Sequence, residues 1–355
     1  MTQLDKKLNK IDDIFEFTSH ERFQDIHFKW NEKLNLKAIV AIHSTKFGAP
    51  LGGCRFIEYP NTDSAIIDAL RLARGMSYKN AMAGLEHGGG KAVIIKPRHI
   101  PDRKAFFEAF GEFVHELGGR YITAKDSGTT LEDMDIIATK TPYVASTSEM
   151  VDPSPFTALG VKQGILAAVK HRFNQDNLDG LHVAIQGVGY VGYPLAAHLH
   201  ELGARLTVCD IDETNVQRCV DEFGASSVHP DEIYSVDCDI FSPCALGAII
   251  NDETIPVLKA KIIAGAANNQ LAQVRHGQAL LDKGILYAPD YIVNAGGVIH
   301  AVHKYNKKSD QEAHDKIINL YSTLLDIFEK AKHAGKPTNI VADEIAYKML
   351  HDEDA

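Results

Sequence analysis

His182-Val-Ala-Ile-Gln186-Gly187-Val188-Gly189-Tyr190-Val191-Gly192 reads as a short apolar strand running directly into three glycines at GxGxxG spacing. Residues 193–202 then carry helical spacing, Gly203 supplies a helix stop, and Arg205-Leu-Thr-Val-Cys209 is a second strand ending at Asp210. Strand, glycine turn, helix and strand, with an acid 23 residues after the first glycine, form a βαβ unit suited to a dinucleotide. Gly187 permits the tight turn and Gly189 lets backbone approach a pyrophosphate. Gly192 lets the helix pack on the strand, so that its N-terminus faces the phosphates. Pro194 is tolerated because first-turn amides lack intrahelical partners. Asp210 would accept hydrogen bonds from the adenosine ribose and repel a 2′-phosphate, which favours NAD over NADP. Gln186, Val188, Tyr190, Val191 and Ile211 flank the turn and its acid as further candidate cofactor contacts. A glycine turn that binds nothing is the alternative, and the strand–turn–helix context weighs against it.

Strands and helices alternate from this unit to about residue 300, which predicts a doubly wound, mostly parallel sheet. Upstream, Lys37-Ala-Ile-Val-Ala-Ile42 and Ala92-Val-Ile-Ile95 read as buried strands. Asn61-Thr62-Asp63 opens a helix with Ile66, Ile67, Leu70 and Ala73 on one face. Residues 102–117 carry Phe106, Phe110, Phe113 and Leu117 at helical spacing, a stripe that reads as core. Thr130-Leu-Glu-Asp133 resembles a capping box. The proline- and acid-rich stretch 146–155 is the expected crossover between domains, a helix follows over 157–170, and residues 311–333 read as one long amphipathic helix. The expected architecture is α/β with two domains. Residues 1–145 plus 321–355 would form a mixed-sheet substrate-binding, catalytic and oligomerisation domain, and residues 146–320 a Rossmann NAD domain.

A chain of 355 residues is long for one core. Its net charge of −10 argues against nucleic acid as the main partner. No run of 18 apolar residues exists to span a membrane, and residues 1–10 lack the apolar core of a signal peptide. The five cysteines are scattered, without a CxxC pair, and predict free thiols in a reducing, cytoplasmic compartment. No metal site is expected. His198 and His200 lie two apart on a helix, and no carboxylate or cysteine completes a set with His300 and His303.

The chemistry concentrates in Met76-Ser-Tyr-Lys79-Asn-Ala-Met-Ala-Gly-Leu-Glu-His-Gly88-Gly-Gly-Lys91 and in Ala124-Lys125-Asp126-Ser127-Gly128. A lysine that is desolvated or near another cation loses part of its proton affinity and can act as a base. The glycines are expected to remove bulk so that a ligand can approach the main chain. Two lysines alone would be read as solvated surface. Two lysines with glycines, an acid and a dinucleotide fingerprint point to a small charged substrate.

These segments, with Leu51-Gly-Gly-Cys-Arg55, Ala264-Gly-Ala-Ala-Asn268-Asn269-Gln and Pro289-Asp-Tyr-Ile-Val-Asn294-Ala-Gly-Gly, resemble the amino-acid dehydrogenase superfamily. The likeness runs from about residue 38 to 342 and is closest to leucine dehydrogenases, with valine, phenylalanine and tryptophan dehydrogenases near. It implies NAD-dependent oxidation of an L-amino acid to its 2-oxo acid and ammonia by a homo-oligomer, dimer or octamer. It also implies that Lys79 holds the substrate carboxylate with backbone at Gly52 and Gly53, and that Lys91 activates water. Asp126 would shuttle a proton on the substrate nitrogen. Asn268, Asn269 and Asn294 would lie near the substrate and nicotinamide.

Lys125 and Ser127 depart from the leucine dehydrogenase pattern, as do His300 and Ala301. Leu51, Ala124, Val298 and Ala301 would line an apolar side-chain pocket, with no cation for a second carboxylate. Leucine, isoleucine and valine are the expected substrates. The smaller Ala301 keeps open an aromatic preference, and a catalytically silent NAD-binding regulator is the reading from another class. Cys54 reads as a packed residue, and Trp30 as packing or interface.

Overall fold

The computed structural model describes residues 14–149 and 151–351. The leader reading at residues 1–10, Met150 in the crossover and the chain end from 352 lie outside the described residues. The chain divides into two compact units.

The first unit contains a five-stranded sheet in the order β1-β2-β4-β3-β5. Its strands are β1 (Asp25–Asn31), β2 (Leu36–Ser44), β3 (Leu51–Ile57), β4 (Gly89–Ile95) and β5 (Ile122–Lys125). β1/β2 and β2/β4 are antiparallel, while β3/β4 and β3/β5 are parallel, so the sheet is mixed as expected. Helix α1 (Thr62–Met82) starts at Asn61, whose side chain accepts from the Ser64 amide. In its first three turns Ala65, Ala69, Leu70 and Ala73 are buried while Ile66 and Ile67 are half-buried, so the buried face is rotated toward the alanines relative to the expected stripe. On the other side, α2 (Arg103–Glu116) buries Phe106, Phe107, Phe110 and Phe113 against Val40, Ile42, Phe56 and Ile94. Both halves of the capping box at Thr130 form, opening α3 (Leu131–Ala138) immediately after the Asp126 loop.

The second unit carries a six-stranded sheet in the order β11-β10-β9-β6-β7-β8, every pairing parallel. β6 (His182–Gln186), β7 (Arg205–Cys209) and β8 (Ser226–Ser227) run outward one way. β9 (Ile240–Pro243), β10 (Ile262–Ile263) and β11 (Leu286–Tyr287) run the other. The chain therefore reverses winding between β6 and β9, the crevice where doubly wound sheets bind ligands.

Helix α4 (Ser154–Phe173) covers this second sheet, α5 (Gly192–Glu201) follows the glycine turn, and α6 (Glu213–Phe223) follows β7. α7 (Gly296–Tyr305) is followed by α8 (Asp310–Ile318), α9 (Leu320–Ala334) and α10 (Thr338–His351). The single helix expected over 311–333 is thus two helices, interrupted at Asn319.

The expected domain assignment needs correction at its C-terminal end. Residues Ser309–Ile345 pack with the second unit, while Ala301–Lys308 and residues 346–351 belong to the first. On α4, Gly160 and Gly164 lie one turn apart, and side chains there would stand 3.3 Å and 3.2 Å from the Leu320 and Leu324 methyls. The bare glycines let Val293 and this leucine pair approach closely, which holds α9 on the second unit. Residues 301–308 are held in the first unit by a hydrogen bond between His87 and Asn306 and by the Lys308–Glu86 ion pair at 2.9 Å. Among the described residues no helix is long and apolar enough to cross a membrane.

Candidate active site

In the first unit, β4, β3 and β5 lie side by side with Gly53 opposite Ala124 and Cys54 opposite Lys125. Cys54 also pairs with Ala92, which sets Gly53 level with Lys91. Lys91, buried to 6% exposure, forms a direct ion pair with Asp126, which lies just beyond β5. The pair meets above Gly53. A methyl group there would stand 2.7 Å from Asp126 Cβ and 3.0 Å from Lys91 Nζ.

The Asp126 loop is held from several sides. Thr129 Oγ1 accepts the Asp126 amide at 3.0 Å and donates to the Cys54 carbonyl at 3.1 Å. Ser127 donates its amide to Asp126 Oδ1 at 2.7 Å. Gly128 adopts φ +83°, and a side chain there would collide with the Phe56 carbonyl.

Burial is the largest single influence on the Asp126 carboxyl and would raise its pKa. The Lys91 charge and hydrogen bond, the Arg55 charge and the Ser127 amide together outweigh burial, and the group sits below its ordinary value. Arg55 Nε lies 3.7 Å from Asp126 Oδ2. Sequence reasoning quoted Arg55 within a motif and assigned it no role; its position two residues after Gly53 on the same strand face was the available signal. Lys125, the departure nearest Asp126, is exposed.

The triple glycine has a different purpose from the expected one. Side chains at Gly88 and Gly89 would meet the Ser44 carbonyl at 1.9 Å and the Ser77 amide at 2.1 Å, and one at Gly90 would touch the Tyr121 ring at 3.0 Å. Protein fills that space, so these residues are glycines for close packing and not to bare backbone to a ligand. Gly52 is likewise packed, 1.8 Å from the Gly90 carbonyl at its Cβ position.

Lys79 sits half-buried on the last turn of α1. Its neighbour Asn80 donates to the Gly88 carbonyl at 2.7 Å, which ties this end of the helix to the glycine run. Leu51 is buried and Ala124 half-buried on adjacent strands. Val298 and Ala301, three apart on α7, are half-buried; Val298 falls in the second unit and Ala301 in the first. Cys54 is fully buried, and burial pushes its thiol pKa far up, as suits a packed residue.

In the second unit, Gly187 has φ +87°, and a side chain there would stand 2.7 Å from Ala245 Cβ in the loop after β9. The Cβ position of Gly192 lies 1.9 Å from the Gly187 carbonyl, so only glycine lets the helix sit so close. Gly189 has nothing within 4 Å. Asp210 accepts the Val188 amide at 2.8 Å and the Asp212 amide at 3.0 Å. This aims a fixed carboxylate at the mouth of the turn. Tyr190 and Ile211 project almost fully into the open, and the Gln186 side-chain oxygen is buried without a hydrogen-bond partner. Val191 is half-buried at the start of α5. Asn294 donates to Asn268 Oδ1 at 2.8 Å and to the Ala266 carbonyl at 3.0 Å, and Asn269 takes a left-handed φ of 52°. An open glycine turn, a directed carboxylate and exposed apolar side chains fit a bound dinucleotide.

A parallel sheet with this turn at its switch point, and a buried lysine–aspartate pair in a separate mixed-sheet unit, define an amino-acid dehydrogenase. The chain belongs to the Glu/Leu/Phe/Val dehydrogenase family. The model for its dimerisation domain matches residues 20–143, and that for Glutamate/Leucine/Phenylalanine/Valine dehydrogenase matches residues 207–336. Leucine dehydrogenase from Thermoactinomyces intermedius is 50% identical over 95% of this chain and 93% of its own length. The Bacillus subtilis (strain 168) leucine dehydrogenase is 49% identical over 95% and 94%. The crystal structure of L-tryptophan dehydrogenase from Nostoc punctiforme superposes with a TM-score of 0.88 at 44% identity, covering 96% of this chain and 99% of that one. Enzymes of this family use NAD(P).

Proposed function

We propose that this dehydrogenase catalyses the reversible oxidative deamination of branched-chain L-amino acids, leucine foremost with isoleucine and valine, using NAD. The observation that carries the reading is the buried Lys91–Asp126 pair above Gly53, in a chain whose second unit has the glycine turn and Asp210.

Lys79 anchors the substrate carboxylate as a cation beside the Gly52–Gly53 backbone. Asp126, ionised through its cations, takes a proton from the substrate ammonium so that the nitrogen lone pair can assist loss of hydride from Cα. NAD, when bound, would supply the acceptor for that hydride. Water then adds to the substrate's iminium carbon as Lys91 removes its proton. Asp126 returns a proton to the departing nitrogen, Lys91 releases the proton it took from water, and the balance is amino acid, water and oxidised cofactor to 2-oxo acid, ammonium, reduced cofactor and one proton. Gln186, Gly187, Val188, Gly189, Tyr190, Val191, Gly192, Asp210, Ile211 and Asn294 hold the dinucleotide. Asn268 and Asn269 stand near the substrate.

Leu51, Ala124 and Ala301, all of the first unit, would supply apolar surface for the substrate side chain. One methylene in such a pocket is worth only about 1–3 kcal/mol, so overlapping use of the three aliphatic amino acids is expected. Ala301 and the likeness to the Nostoc enzyme support the second reading, an aromatic preference. A panel of Leu, Ile, Val, Phe and Trp with NAD, followed by NADH absorbance, decides. Leucine should give the highest kcat/KM. A higher value for tryptophan or phenylalanine moves the specificity, and no turnover with any leaves a silent NAD-binding protein. Lys91→Ala should abolish turnover and retain NADH binding.

A homo-oligomer is supported by β1, an edge strand with Phe28 and Trp30 exposed at 56% and 67%. Light scattering should give a dimer or octamer mass. Five unpaired cysteines, four of them buried, support a reducing cytoplasmic setting.

A further inference from the structure

We infer that Arg55 is a positioning residue that keeps the Asp126 carboxylate ionised and in place when Lys91 is neutral. The inference rests on the proposed roles of Lys91 and Asp126. It extends them to a residue that need not touch substrate.

In the proposed reaction Lys91 must be neutral when it takes the proton from water. At that moment the strongest cation beside Asp126 disappears, while burial of the carboxylate, the largest influence on it, remains. Left alone, such a carboxyl would take up a proton and lose its acceptor function. Arg55 answers this need because a guanidinium does not deprotonate in the working pH range.

Its geometry is built for permanence. Arg55 lies on β3 opposite Val93, with its side chain 20% exposed. Nη1 donates to Asp68 Oδ2 on α1 at 2.9 Å, and the Tyr59 hydroxyl donates to the same oxygen at 2.6 Å. Arg71 approaches the other oxygen of Asp68 at 3.4 Å. Asp68 therefore holds the far end of the guanidinium, and Nε lies 3.7 Å from Asp126 Oδ2 as an ion pair without a hydrogen bond. Burial works against the charge on Arg55, but Asp126 and Asp68 outweigh it and hold its pKa above the ordinary arginine value. The other ionisable groups that feel Asp126 are Lys91 from β4, Cys54 from β3, and the Tyr59 and Tyr121 hydroxyls, and burial raises the pKa of the last three; Lys125, next to Asp126 in sequence, is exposed. Arg55, 3.7 Å from Asp126 Oδ2, is thus a permanent cation that remains when Lys91 gives up its charge.

The test is a carboxyl ¹³C NMR titration of Asp126, assigned by its loss in Asp126→Asn, in Lys91→Ala and in Lys91→Ala/Arg55→Met. With Lys91 removed, Asp126 should still titrate at or below the ordinary carboxylate range. Removing Arg55 as well should move it up by about one pH unit or more. Arg55→Lys should restore part of the shift, and Arg55→Met in otherwise intact enzyme should lower kcat at least tenfold with a smaller change in KM. Equal titration of the single and double variants overturns the inference. If the double variant does not fold, Lys91→Ala/Asp68→Asn, which frees the far end of Arg55, should move Asp126 up in the same direction, and an unmoved titration is equally fatal. Full turnover by Asp126→Asn would instead overturn the underlying reaction scheme, whatever Arg55 does.

Discussion

Gly53 lies so close beneath Lys91 that a single methyl group on its Cα would stand 3.0 Å from the ammonium nitrogen. The same methyl would be 2.7 Å from the Asp126 Cβ, a separation that real side chains do not tolerate. The residue is glycine because two larger side chains must share the space above it.

Gly53→Ala should therefore push Asp126 away from Lys91 while leaving the fold intact. Displacements of this size at reacting groups cost on the order of 10–100-fold in rate. Steady-state kinetics should show that loss in kcat, with NADH binding, followed by its fluorescence, unchanged. An alanine variant of normal kcat would show that the pair need not sit where it does.

Tyr121 is fully buried, and its hydroxyl accepts the Ala92 amide at 3.0 Å and reaches the Gly52 carbonyl at 2.7 Å. It bridges β3 and β4 next to Lys91. Tyr121→Phe keeps the ring and strands both backbone groups, at a cost of about 1–3 kcal/mol. Urea unfolding should record this as a lower midpoint with an unchanged slope. A midpoint equal to that of the parent would mean that the backbone finds other partners.

Asp210 is the residue proposed to set a preference for NAD. Asp210→Ser removes the negative charge at the mouth of the turn and should raise the ratio of NADP to NAD kcat/KM by about tenfold or more. Parallel assays with the two cofactors measure it. NADP preference in the unaltered enzyme would refute the assignment of Asp210.

His43 should make the protein acid-sensitive. Burial first, then the Arg74 and His351 charges, lowers its pKa from 6.5 to about 3, with the Glu21 backbone opposing. Its ring contacts Ser77 Oγ at 2.8 Å and packs against Phe23 and Tyr78. Between pH 6.5 and 3 the unfolded chain binds a proton at this site that the folded chain refuses. Stability therefore falls as pH drops through that window, by roughly 1.4 kcal/mol per unit from this group. Asp126 adds to the loss at its lower end, because a carboxylate with depressed pKa loses its stabilisation as pH falls through the folded value. Urea midpoints measured from pH 7 to 4 should decline less steeply in His43→Gln.

Helix starts and the dinucleotide turn were legible because their causes are local. Asn61, Asp102 and Thr130 each cap an amide within three residues, and the glycines of the turn are spaced by the turn itself. The purpose of Gly88, Gly89 and Gly90 was misread for the opposite reason. What excludes a side chain there is Ser44, Ser77 and Tyr121, none of them near in sequence. Arg55 went unassigned because its partners, Asp68 and Asp126, come from a different helix and a different loop.

The strand–turn–helix–strand unit with its acid, the helix starts and the two lysines proposed to act on the substrate were legible in the sequence alone, since periodicity and capping act over two to four residues. Tertiary structure decided which of those residues meet. Lys91 finds Asp126 because parallel pairing lays β4, β3 and β5 side by side. Helix α9 belongs to the second unit because Leu320 and Leu324 approach closely at Gly160 and Gly164. Both outcomes depend on close packing between distant segments, where one missing side chain determines which neighbour can approach.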